Sequence, residues 1–143
     1  MSIFDNLVRF GYSKDLHEHL KGLDTKCDTY NATSIYQLVT VFVLVLSFIV
    51  MLNYYRGIFH RPRFTGRLGW FLQLLFVVVV TFLFAYLRAN RDLSNSNFCK
   101  DLVFNSSDSA LFGLTAAVYA FVFGFIFSML FKYFSIHHKN IPF

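Results

Sequence analysis

Three uninterrupted apolar blocks dominate the chain, at positions 35–52, 68–87 and 110–131, and polar segments separate them. None of the three contains Asp, Glu, Lys, Arg or His. Each is close to the roughly 20 residues an α-helix needs to cross a hydrocarbon layer about 30 Å thick. The run Val77, Val78, Val79 and Val80 is β-branched and would favour a strand in water. In lipid an isolated strand leaves its N–H and C=O groups unpaired, so helix is the stable form. Barrel strands are only about 10 residues long and alternate apolar with polar, which these blocks do not. The pattern therefore predicts an all-α membrane protein with three transmembrane helices.

The polar segments carry helix signals too. Ser2 followed by Asp5 resembles a capping box, and Ser13 can cap a second helical stretch ending near Gly22. Phe4, Leu7 and Val8 share one helical face, and Leu16, Leu20 and Leu23 form another. These faces predict an amphipathic N-terminal segment lying at the membrane interface or capping the bundle. The expected map is an N-terminal segment over 1–33, a first span over 34–53 and an Arg-rich loop over 54–67. A second span over 68–87, a second loop over 88–109, a third span over 110–131 and a tail over 132–143 complete it.

Composition agrees with this map. Of 143 residues, 56% are hydrophobic and 15% charged, whereas soluble domains carry about a quarter charged. A cleavable leader would need an early apolar stretch followed by small residues, and the first 34 positions offer none, so the N-terminus is expected to stay on the chain.

Charge then orients the spans. The loop over 54–67 holds Arg56, Arg61, Arg63 and Arg67 and no acid, and the tail adds Lys132 and Lys139. Basic residues in short loops favour the cytoplasm, which predicts the N-terminus and second loop outside and the C-terminus inside. Three spans put Cys27 and Cys99 on one side of the membrane. If that side is oxidising they are a candidate disulfide pair, the alternative being two unrelated thiols. Sequons at Asn31 and Asn105 fall on the same side.

Within the spans, Ala116, Ala120, Gly124 and Ser128 recur every four residues, with Gly113 and Ala117 in a neighbouring row. Small residues at this spacing let a second helix backbone approach closely. That helix could belong to the same chain or to another copy, and small bundles commonly form oligomers. A thinner polar stripe comprises Gln37, Thr40 and Ser47 in the first span and Gln73 and Thr81 in the second. These side chains can hydrogen-bond between helices or line a narrow path.

Candidate ligand chemistry concentrates in the first loop. Arg56, His60, Arg61, Arg63 and Arg67 are interleaved with Tyr54, Tyr55, Phe59 and Phe64. Anionic lipid headgroups account for such a patch, and a polyanionic ligand such as a nucleotide or oligonucleotide is the sharper reading. Enzymatic chemistry has little to stand on. No ionisable residue lies in a span, and no phosphate loop, HExxH or nucleophile elbow occurs. His17 and His19, two residues apart, point to different helix faces, and neither they nor the adjacent His137 and His138 have nearby third and fourth metal ligands. No metal or cofactor is expected.

Two function classes follow. One is a homo-oligomeric pore or ion channel, of a size that suits a ligand-gated, membrane-permeabilising effector in antiviral defence. The other is a non-catalytic accessory or structural subunit of a larger membrane complex.

Overall fold

A computed structural model describes residues 11–24, 29–30, 34–56, 66–95, 103 and 105–134. The fold is all-α. A short helix, α1 (Lys14–Lys21), precedes three long ones, α2 (Ile35–Arg56), α3 (Arg67–Ser94) and α4 (Ser106–Phe134). Between α1 and α2 the chain reverses through a two-residue antiparallel ladder, β1 (Leu23–Asp24) with β2 (Thr29–Tyr30), in which Leu23 pairs with Tyr30.

All three long helices are long and apolar enough to cross a membrane. Each continues past its apolar block, because a helix can run into the headgroup region where water is available to polar side chains. The 28 residues of α3 span about 42 Å, more than the hydrocarbon layer alone. Large side chains such as Val41, Val45, Phe48, Phe71, Phe76 and Phe121 face outward, as lipid-facing residues do.

Local chemistry explains the helix ends. The Ser13 hydroxyl accepts a hydrogen bond from the backbone N–H of Leu16, capping α1. Gly22 closes α1 at φ 78°, a left-handed conformation that glycine adopts without steric cost, and its N–H bonds to the carbonyls of Glu18 and His19. At the start of α4 the Asp108 carboxylate reaches back to the N–H of Asn105, 3.1 Å away.

The core follows the helical repeat. Val39, Val43, Ser47 and Met51 of α2 turn inward, as do Leu74, Val77, Thr81, Ala85 and Ala89 of α3. Phe112, Ala116, Ala120, Gly124 and Ser128 of α4 complete it. The most extensive interface is between α3 and α4, with α2 packed against both. Small residues make this possible. A Cβ built on Gly124 would lie 2.7 Å from Leu74 Cδ1, and one on Gly113 would lie 3.2 Å from the Phe82 ring and carbonyl. The small-residue row is thus filled by the chain's own helices.

Candidate functional site

The bundle carries polar groups at both ends and along its interior. At one end α1 packs under the starts of α2 and α4 and the end of α3. Its Leu16 and Leu20 are fully buried. Tyr12 bonds to the Tyr36 hydroxyl, His17 Nδ1 lies 2.7 Å from the same hydroxyl, and both tyrosine rings pack edge-on against Phe112. On the other face of α1, His19 Nε2 lies 3.3 Å from Asp92 Oδ2, while Arg88 Nη1 donates to Asp92 Oδ1 at 2.8 Å. His17 is 5% and His19 3% exposed, so two imidazoles are buried where helix ends meet. The spacing that separates them on α1 sends one to α2 and the other to α3.

At the opposite end one small hydroxyl ties three spans together. Trp70 Nε1 donates to Ser128 Oγ at 2.7 Å, and the Tyr55 hydroxyl lies 2.7 Å from the same oxygen. Tyr54 donates to the carbonyl of Gly66 at 2.9 Å, closing the ends of α2 and α3 on each other. Tyr and Trp suit this level because each has an apolar ring and a polar tip.

Along the bundle, five buried side-chain oxygens have no hydrogen-bond partner among the described residues: Asn53 Oδ1, Gln73 Oε1, Ser47 Oγ, Thr81 Oγ1 and Ser109 Oγ. All three spans contribute. Ser47, Thr81 and Ser109 are fully buried. Thr40 and Thr115 behave differently, each turning its hydroxyl onto the carbonyl four residues back, Tyr36 and Leu111 respectively.

The residues singled out from sequence fall into three groups. Gly113, Ala116, Ala117, Ala120, Gly124 and Ser128 are all buried inside one chain. Ser47 and Thr81 face the interior, Gln73 is half-buried, Thr40 is bonded to its own helix, and Gln37 is exposed on the outer surface. Ten residues separate Gln37 from Ser47, about 80° short of a whole number of turns, so the two do not share a face. Arg56 and Arg67 are exposed at the mouths of α2 and α3. His60, Arg61, Arg63, Cys27, Cys99, His137 and His138 lie outside the described residues.

Sequence reasoning passed over Tyr12, Tyr36 and Asp92 at one end and Trp70 at the other. Tyr and Trp at the margins of apolar blocks were a usable signal. Asp92 offered none, since its partner His19 is 73 positions away. Comparison with protein-family models, with curated proteins and with solved structures finds no significant match.

Proposed function

We propose that this integral membrane protein is a pore- or channel-forming subunit with a narrow path that opens by wetting. The observation that carries the reading is the set of five orphaned oxygens inside the bundle. In hydrocarbon a buried polar group without a partner is costly; a hydroxyl can turn onto its own helix carbonyl, as Thr40 and Thr115 do, and water is the partner that the pore reading assigns to these oxygens. A narrow, weakly polar path between helices can gate by dewetting. Copies of the chain would meet through outer faces bearing Phe71, Phe76 and Phe121, because the small-residue row is occupied within each chain. Arg56 and Arg67, exposed at one mouth, are suited to anionic headgroups or to a polyanionic trigger. A passive leak in the cell's own membrane would collapse its gradients, the action of a permeabilising effector.

Purified protein in planar bilayers tests the reading. Discrete currents that fall in the double variant Ser47→Ala/Thr81→Val, with lipid-facing Val45→Ala as control, are the expected result. An accessory subunit would leave bilayers silent under every ligand tried and would co-purify at fixed ratio with larger chains.

A further inference from the structure

We infer that α1 is an acid-released clamp across one end of the bundle, and that His17 is the group whose protonation releases it. The clamp stands apart from the pore reading and holds whatever the spans do.

Polar anchors tie α1 to every span. His17 Nδ1 lies 2.7 Å from the Tyr36 hydroxyl of α2. His19 Nε2 lies 3.3 Å from Asp92 Oδ2 of α3. Asp15 accepts from the backbone N–H of Val103, just ahead of α4, at 3.3 Å. Ser34, just before α2, donates to the carbonyl of Leu20 at 3.2 Å. Leu16 and Leu20 are 0% exposed and share one apolar cluster with Ile35, Tyr36, Ala89 and Phe112. A helix of 8 residues does not persist alone in water, so α1 stays folded by these contacts. Its release uncovers the span ends at Ile35, Tyr36 and Phe112.

The two histidines meet acid differently. His19 can donate Nε2–H to the Asp92 carboxylate as a neutral ring or as a cation, so that anchor survives protonation. His17 meets hydroxyls and rings instead. Its ring centroid is 6.4 Å from that of Tyr12 and 5.5 Å from that of Tyr36, and Phe112 packs against both tyrosines. With Nδ1 unprotonated, Tyr36 donates to it and Tyr12 donates to Tyr36. A cationic ring carries a hydrogen at Nδ1, so this chain of hydroxyls must reverse. The surrounding charges do not favour the cation. On α1, Lys14 and Lys21 stand at the i−3 and i+4 spacings that share a face with His17, whereas Asp15 and Glu18 do not. Asp15 is held by Val103, α2 offers the Tyr36 hydroxyl, and α4 offers Phe112, with Asp108 turned to the N–H of Asn105. On α3, Arg88 and Asp92 pair with each other beside His19. At 5% exposure, burial opposes a charged His17. Docking therefore favours the neutral ring. This contribution is complete above about pH 6.5, where a free imidazole is neutral, and is lost as pH falls below it. If docked His17 stays neutral throughout, docking weakens by a factor approaching about 30 at pH 5.

Hydrogen exchange of the full chain in detergent micelles tests this, with each rate divided by the intrinsic chemical rate at its pH. Between about pH 8 and pH 5, protection within Lys14–Lys21 should fall about tenfold, while α3 and α4 keep theirs. His17→Asn sets an amide oxygen near the place of Nδ1 and cannot charge, so its protection should stay flat with pH. His19→Gln should lower protection at every pH yet keep the wild-type fall. A flat wild-type profile overturns the inference. So does a fall that persists in His17→Asn, or one that vanishes in His19→Gln, since another group would then be the sensor. A fall shared by α3 and α4 reports general unfolding and overturns it as well. Should His17→Asn fail to hold α1 even at high pH, the wild-type and His19→Gln profiles decide by the same outcomes.

Discussion

Gly124 is packed more closely than Gly113, the other glycine of α4. A leucine there drives into Leu74 and Met51, whereas Val122 is exposed to lipid. Gly124→Leu is expected to cost about 1–3 kcal/mol, and Val122→Leu close to nothing, by thermal unfolding in mild detergent. Gly124→Ala is milder, because the nearest atom is the tip of the flexible Leu74 side chain. At Ser128 a single hydroxyl serves both Tyr55 and Trp70. Ser128→Ala should therefore cost about 1–2 kcal/mol in the same assay, with a change in Trp70 fluorescence as the local readout. The four-residue recurrence made Gly124 and Ser128 legible in the sequence. What it could not give was the identity of the facing helix, since Leu74 and Met51 are long-range partners. Gln37 shows the opposite limit: its polar type suggested an inward stripe, but helical geometry turns it to the outside.

At the scale of elements, α1 is the part whose place depends most on polar contacts. Its limits were readable from Ser13 and Gly22, whose capping roles are local. Its docking was not, because His17 and His19 find Tyr36 and Asp92 only after the spans assemble. Asp92→Ala should release α1 without unfolding the spans, since it removes the carboxylate that His19 and Arg88 share. Hydrogen exchange is the measurement: amides within Lys14–Lys21 should exchange at least tenfold faster, with those of α3 and α4 near wild type. Gly22→Ala should loosen the same helix by about 1 kcal/mol, because φ 78° is unfavourable for any residue with a Cβ.

For the whole molecule, the three apolar blocks made the transmembrane architecture plain, since backbone hydrogen bonding in lipid leaves few alternatives. The sidedness of those spans is an expectation from loop charge. A cysteine at Thr65→Cys should resist an impermeant maleimide in intact cells, while reduced Cys27 and Cys99 should react. The reverse pattern would invert the orientation. The proposed wet interior was the least legible feature, because whether a serine hydroxyl faces a helix carbonyl, another side chain or water depends on packing around it. Solid-state NMR of the reconstituted protein, with polarisation transferred from water to side chains, addresses that interior most directly. Ser47 and Thr81 should receive water signal well above lipid-facing Val41 and Val45 at the same depth. Signal at Ser47 and Thr81 no stronger than at those valines would mean a dry bundle, with both hydroxyls turned onto their own helix carbonyls, and would contradict the account.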